Sequence, residues 1–412
     1  MRGKLLRKFL CLSLFALTVI SISSCNKSDD VIFSPKLNEN EEVNLNVIGL
    51  FSNFEAFDQV TNDFNKYYPN VKFSYQQVAG GKVKEYLDKN NNSVDIFMTS
   101  KENYVDGSDD LINYCLDLSS ADVDINLEDL DHDMLKPNYK NNILHSIPMG
   151  QNIYGIIVNK TLLKKFNIDV PTNYNEFINA LEILKTNGYT PIQGPDSKVM
   201  AELTINMMAD CKINNQLDYN KALEIFNIID TMINNGYTDL NINASYPYDN
   251  YDQAILKFFE GDVAFWVCNS EKVSGMKKRE SKSSSFKANP FEYTYIYSPI
   301  GNNGAYVYSE PWYGFSINKN SKNIEFAKEF MRFLVTKDEI NKMADIKGIP
   351  SIAKNKNNSS IYNDIINPQK IEEKCVDNGV ITSLVNTNWY SCVNNYYNKK
   401  ITRDEAINYF LS

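Results

Sequence analysis

Apolar and polar residues alternate where the folded part of the chain begins: Val43, Leu45 and Val47 stand between Glu42, Asn44 and Asn46, the period of a strand. A helix-like stretch follows from Phe54 to Tyr68, a second strand at Val71 to Tyr75, a short helix at Lys82 to Lys89, and an apolar strand at Val94 to Met98. Ser146 to Asn159 reads as two short extended runs, with Gly150 between them and Gly155 inside the second. Further on, Asn173 to Lys185 and Tyr251 to Glu260 carry helical periodicity, and Val263 to Val267 is a buried strand. Ile324 to Leu334 and Lys337 to Met343 are helical, and the last forty or so residues alternate helix-like stretches with polar turns. Asn355-Lys356-Asn357-Asn358 reads as a loop, and no internal repeat of fixed period emerges. Strands alternating with helices predict doubly wound α/β architecture, in which ligands sit at the carboxyl ends of the strands. The loops that matter are then Phe51-Ser52-Asn53 and Thr99-Ser100.

The start of the chain follows a different pattern. Arg2, Lys4, Arg7 and Lys8 precede an uncharged apolar run from Phe9 to Ile22, the layout of a secretory signal and too short for a comfortable permanent span. The run ends in Ile22-Ser23-Ser24-Cys25, which resembles the lipobox of bacterial lipoproteins; the resemblance implies that Cys25 becomes the lipid-bearing first residue of the mature chain. Residues 26 to 42 are polar and charged apart from Val31-Ile32-Phe33 and read as a tether. The expected organisation is therefore a signal peptide at 1–24, a lipidated tether at 25–42, and a folded part long enough for two lobes.

Charge and cysteine usage narrow the function classes. The chain has 51 acidic and 42 basic residues for a net charge of −9, and four of the basic ones leave with the signal, so nucleic acid and anionic membrane surfaces are poor partners. Beyond Cys11 and Cys25, the irregularly spaced Cys115, Cys211, Cys268, Cys375 and Cys392 form neither a disulfide framework nor a zinc pattern. They read as small buried hydrophobes, with one bridged pair left open by an exported setting. His132 and His145 lie far apart with no cysteine nearby, so no metal or cofactor site is expected.

A longer resemblance runs through the chain. Ile147-Pro148-Met149-Gly150-Gln151-Asn152-Ile153-Tyr154-Gly155-Ile156-Ile157-Val158-Asn159-Lys160, then Pro171, Glu176-Phe177 and Leu184-Lys185, resembles the mid-chain block of family 1 extracellular solute-binding proteins, relatives of maltose-binding protein. Tyr68-Pro69-Asn70-Val71, Phe259-Glu260-Gly261-Asp262-Val263-Ala264-Phe265 and Ser316-Ile317-Asn318-Lys319-Asn320-Ser321, with Ala327, Phe330 and Phe333-Leu334 behind it, resemble further blocks in the same order. Trp389-Tyr390 and the helix from Asp404 resemble the closing helices.

The resemblance implies a periplasmic-binding-protein-like α/β fold: two doubly wound lobes joined by a three-crossover hinge that closes on a ligand. It places residues 43–150 and 299–346 in an N-terminal lobe and residues 151–298 and 347–412 in a C-terminal lobe, with crossovers near Gly150 to Asn152, Tyr297 to Pro299 and Lys347 to Pro350. Carried over residue by residue, the ligand site comprises Phe51, Ser52, Asn53, Met98, Thr99, Gln151, Asn152, Asp196, Ser197, Asn269 and Ser270, with Trp312 and Trp389 as aromatic platforms. Trp266, inside a strand, reads as core, and Glu271 stands where an aromatic residue is expected.

Flat aromatic faces pack on the C–H faces of a sugar ring while amides and carboxylates take its hydroxyls. The resemblance thus implies a non-enzymatic, monomeric carbohydrate-binding subunit, lipid-anchored outside the cell membrane and delivering to the permease subunits of an ABC importer. Two other readings compete. A glycoside hydrolase would draw a carboxylate pair from Asp95, Asp196, Glu271 and Glu310. Alternatively the same fold takes a polyamine, thiamine or ferric ion; iron would want clustered tyrosines, and the Tyr67-Tyr68 and Tyr396-Tyr397 pairs point their side chains apart on a helix.

Overall fold

The computed structural model describes residues 33–38, 41–52, 54–79, 82–99, 109–194, 199–238, 251–273, 275–300, 307–354, 360–362, 373–375 and 389–411. Of the expected functional residues, Cys25, Asn53, Asp196 and Ser197 lie outside these. The chain divides into two units, Met1–Ser34 and Pro35–Ser412, and the elements below all belong to the second.

In chain order the strands are β1 (Val43–Gly49), β2 (Val71–Gln77), β3 (Ile96–Thr99), β4 (Tyr139–Lys140), β5 (Ile143–Leu144), β6 (Ile147–Pro148), β7 (Gln151–Asn159), β8 (Thr190–Gln193), β9 (Val263–Asn269), β10 (Tyr293–Tyr297), β11 (Val307–Pro311), β12 (Gly314–Ile317) and β13 (Glu373–Cys375). The longer helices are α1 (Glu55–Phe64), α2 (Val83–Asn90), α3 (Tyr174–Thr186), α4 (Val199–Ile213), α5 (Tyr219–Asn234), α6 (Tyr251–Phe258), α7 (Ile324–Leu334), α8 (Lys337–Lys347), α9 (Trp389–Tyr397) and α10 (Arg403–Leu411).

These elements form an α/β fold around two sheets. The first has the order β2-β1-β3-β12-β6, with β1 parallel to both β2 and β3 and the returning β12 antiparallel to β3. Its apolar face takes the amphipathic α1 and α7: Phe330 of α7 meets Phe57, Phe64 and Phe73 at ring-centroid distances of 6.0, 5.3 and 4.9 Å. The second sheet has the order β13-β11-β7-β9-β8. All nine residues of β7 are buried, as a near-continuous apolar run demands of a central strand. Its first residues pair with β11 and its later ones with β10, while β9 lies along the other side. β4 and β5 make a separate hairpin whose turn, Asn141-Asn142, has φ of 52° and 64°, the backbone that a two-residue hairpin loop requires.

Three segments join the sheets and hydrogen-bond to one another. Met149 N–H donates to Tyr313 O at 2.8 Å, Trp312 N–H to Gly150 O at 2.9 Å, and Gln151 N–H to Pro350 O at 2.8 Å. Gly150 permits this convergence, since a Cβ there would lie 2.4 Å from Ile349 Cδ1 and 2.9 Å from Pro350 O. The second passage between sheets falls at Trp312-Tyr313 rather than near Tyr297 to Pro299, because β11 pairs with β7 before the chain enters β12. The sequence pattern near Val307 contains no residue that says which sheet the strand joins.

The tether also differs from expectation. Order was expected from Val43, yet the backbone N–H groups of Lys36 and Leu37 donate to the Tyr68 hydroxyl at 2.9 and 3.0 Å, and Lys36 N–H also donates to Glu329 Oε1 at 2.8 Å. Tyr68 in turn donates to Glu329 at 2.6 Å. Both side chains are buried, and the incoming Lys36 N–H adds a donor to a Glu329 carboxylate that Tyr68 and Arg332 also engage. Burial and the neighbouring Glu329 push the Tyr68 phenol up to about 12.

Candidate ligand-binding site

Phe51 leaves the end of β1 under a specific restraint. The Tyr75 ring crosses over Gly49, where a Cβ would lie 2.0 Å from the Tyr75 hydroxyl. That hydroxyl accepts from Phe51 N–H at 3.3 Å and donates to Phe51 O at 3.1 Å. From the other side comes Trp312, on the passage between β11 and β12. The two rings stack at 5.5 Å with an interplanar angle of 27°, and Tyr313 meets both edge-on, at 5.1 and 4.8 Å. Phe54 packs behind Phe51 at 5.0 Å. Phe51 and Tyr313 are half-buried, so the cluster reaches the surface, and Ser52 beside it is exposed.

A cation completes the cluster. Helix α8 stops at Lys347: Gly348 adopts φ 64°, and Ile349 N–H reaches back to Ala344 O at 3.0 Å, a glycine stop that needs no Cβ. Lys347 Nζ then lies 4.6 Å from the Phe51 ring centroid, 5.5 Å from that of Phe54 and 5.6 Å from that of Trp312. Burial pulls its ammonium below the ordinary lysine range, and the fields of Glu55 and Glu271 act the other way.

The amides and hydroxyls expected to face a ligand are instead engaged with one another where β7 begins. Gln151 Nε2 donates to Ser351 O at 3.0 Å, and Asn152 Nδ2 to Glu310 Oε1 at 2.9 Å. The Ser270 hydroxyl donates to Gln151 O at 3.2 Å and accepts from Ile153 N–H at 3.0 Å. All are buried, and their hydrogen bonds stitch the crossover segments to β7 and β11. Asn269 caps the turn Ser270–Val273, accepting from Lys272 N–H at 3.2 Å. Met98 and Thr99 are buried inside the first sheet, flanked by β1 and β12.

Trp389, expected as a platform, is a core residue. It is 0% exposed, its indole N–H donates to Ala201 O at 3.3 Å, and its ring packs on Phe226 and Phe410 at 5.5 and 5.2 Å. The first turn of α9 lies against α4, which takes this side chain into the larger core of the second sheet. Trp266 is likewise buried, between Phe258 and the rest of the second core.

Several residues named in the competing readings are engaged in structural contacts. Asp95 is structural: it accepts from Asn46 N–H at 2.8 Å and from the Ser321 hydroxyl at 2.6 Å, tying β1 to the segment after β12. Tyr68 is committed to Glu329, and Tyr396 to Asp230. Among the described residues no group of three or more His, Cys, Asp or Glu is placed to hold a metal ion. Cys115, Cys211, Cys268 and Cys392 are buried free thiols, with burial raising the pKa of each. What the cluster offers is apolar ring faces with N–H donors at their margin. Sequence reasoning had Phe51 and Trp312 but missed Lys347, Phe54 and Tyr313; the Trp312-Tyr313 doublet and the lysine directly before a crossover glycine were the available signals.

Comparison with known structures places this geometry. RafE from Streptococcus pneumoniae in its apo form is 15% identical, with a TM-score of 0.71 over 91% of this chain and 97% of that one. A sugar transporter protein from Bacillus licheniformis in complex with stachyose is 16% identical, with a TM-score of 0.59 over 89% and 97%. Maltose-bound MalE3 of T. maritima is 14% identical, with a TM-score of 0.65 over 89% and 97%. At such identities the likeness establishes the fold. Among curated proteins none matches by sequence. The family model for bacterial extracellular solute-binding proteins matches residues 49–340, which run from the end of β1 through both sheets to α8, and the chain belongs to that family.

Proposed function

We propose that this protein captures a sugar or oligosaccharide in the cleft between its two lobes and delivers it to the permease of an ABC importer. The observation that carries the reading is the ring cluster of Phe51, Trp312 and Tyr313 at the junction of the two sheets, where apolar faces border unfilled donors. Family membership and the raffinose-, stachyose- and maltose-binding neighbours favour a saccharide over other small solutes. In this reading the lobes are built on the two sheets, residues 43–150 with 313–346 and residues 151–312 with 347–412, and Ser52, Asn53, Asp196, Ser197 and Asn269 supply polar contacts to the bound sugar. Closure would loosen the bonds that now engage Gln151, Asn152 and Ser270.

Cys25 carries the lipid that holds a monomeric protein at the outer face of the membrane, near its permease. A lone diffusing domain would be lost, whereas two or more acyl chains make attachment stable.

Thermal-shift screening against raffinose, stachyose, maltose and other sugars, with spermidine and ferric citrate as controls, tests the ligand class. Stabilisation by a sugar with no product released from an oligosaccharide is the expected result; stabilisation by spermidine alone would sink it. Labelled fatty-acid incorporation that persists in Cys25→Ala would remove the anchor from the proposal.

A further inference from the structure

Among the described residues, two donors in the ring cluster lack acceptors. Trp312 is 8% exposed, and its buried indole N–H has no hydrogen-bond partner among the described residues. Lys347 Nζ, among the described residues, makes neither a hydrogen bond nor an ion pair; it has only the three ring faces at 4.6, 5.5 and 5.6 Å. Ring faces attract the half-buried ammonium, and the carboxyl end of α8 adds a favourable dipole, but neither accepts a hydrogen bond. A buried N–H without an acceptor costs free energy that a ligand oxygen would recover. Both donors stand on passages between the sheets, Trp312 on the second and Lys347 at the start of the third, so a ligand held by both spans segments that move together on closure.

The surroundings select the kind of oxygen. Glu55 at the start of α1 and Glu271 in the turn after β9 are the acidic groups whose fields reach Lys347, and Glu310 is buried in the network alongside. A ligand carboxylate would satisfy the lysine but meet this acidic surround; a ligand cation would meet the lysine itself. We propose that Lys347 and the Trp312 indole N–H form a paired donor site that makes the cleft specific for neutral, hydroxyl-bearing saccharides, discriminating against both cationic solutes and acidic sugars. This rests on the sugar reading and names the residues that set its charge preference.

The experiment is isothermal titration of the full chain in mild detergent with the neutral sugar that gives the largest thermal shift, with trigalacturonate and with spermidine, repeated for Lys347→Met, Lys347→Arg and Trp312→Phe. A donor lost from a charged hydrogen bond is expected to weaken neutral-sugar binding about tenfold or more in Lys347→Met, with Lys347→Arg recovering most of it. Trp312→Phe, which keeps a ring but not the N–H, should weaken binding about threefold to tenfold. The melting temperatures of the unliganded variants should match the wild type, which separates a recognition role from a structural one. Equal affinity of wild type and Lys347→Met for the neutral sugar overturns the inference and leaves the sugar reading standing; tighter binding of trigalacturonate than of any neutral sugar also overturns it. Binding of spermidine with no sugar bound overturns both.

Discussion

Trp312 and Trp389 occupy contrasting regions of one molecule. Around Trp389 every need is met: the ring packs on Phe226 and Phe410, and its N–H finds the Ala201 carbonyl. Around Trp312 the ring is nearly as well covered, by Phe51 and Tyr313, yet among the described residues its N–H finds no acceptor, and the lysine beside it has ring faces for company and no acceptor. Burial alone does not separate a core residue from a binding residue. Completion of the hydrogen bonds separates these two; the buried Trp266 indole N–H in the second core is also unfilled, so it is the half-buried rings and the lysine beside Trp312 that complete the distinction.

The largest expected effect tests the filled side. Trp389→Ala should cost about 3–5 kcal/mol of stability, read by urea denaturation, since it empties a large site in a packed core; sugar affinity of the fraction that remains folded should be unchanged, and a specific loss of affinity would restore Trp389 to the cleft. Next comes His145, whose imidazole burial pushes down to about 4 from an ordinary 6.5, with Lys140 adding to the effect. The unfolded chain binds the proton first, so stability should fall as pH drops from about 6.5 to about 4, by up to about 3 kcal/mol, and level off below. His145→Asn should flatten that profile; a profile unchanged by the substitution would place the dependence elsewhere.

Smaller effects probe the unfilled side and its supports. Gly150→Ala forces a methyl group against Ile349 and Pro350 O and should cost about 1–3 kcal/mol, with weakened ligand binding because the crossovers must separate to make room. Tyr68→Phe removes the acceptor for Lys36 and Leu37 and should cost about 1 kcal/mol, with residues 35–37 becoming open to limited proteolysis while sugar affinity stays the same. Smallest of all is Trp312→Phe in the unliganded protein, expected within about 1 kcal/mol of wild type in denaturation, because the N–H it removes bonds to nothing. A large destabilisation there would erase the contrast with Trp389.

The elements were largely legible. The alternation at Val43–Val47 is strand β1, the periodicity of Ile324–Leu334 is helix α7, and the two runs flanking Gly150 are β6 and β7. Part of the candidate site was legible too, since a residue directly after a parallel strand, such as Phe51, sits at the edge where α/β folds place ligands. What misled was residue type taken without context: glutamine, asparagine and serine near a crossover read as ligand contacts, yet Gln151, Asn152 and Ser270 satisfy one another and the backbone. Nor does Lys347 advertise itself among 42 basic residues; only the stop at Gly348 and the fold bring it over Phe51.

Local rules sufficed for strand and helix periods, because those depend on neighbours in the chain. The sheet that receives β11, the docking of Lys36 and Leu37 on Tyr68 and Glu329, and the division of two tryptophans between core and junction depend on which distant carbonyls and rings arrive beside them. Ala201 reaches Trp389 across 188 positions, and among the described residues no acceptor reaches the Trp312 indole N–H. Hydrogen-bond completion is a property of tertiary contacts, and it separates Trp312 from Trp389, whereas Trp266 shares the unfilled N–H and is told apart only by the core packed around it.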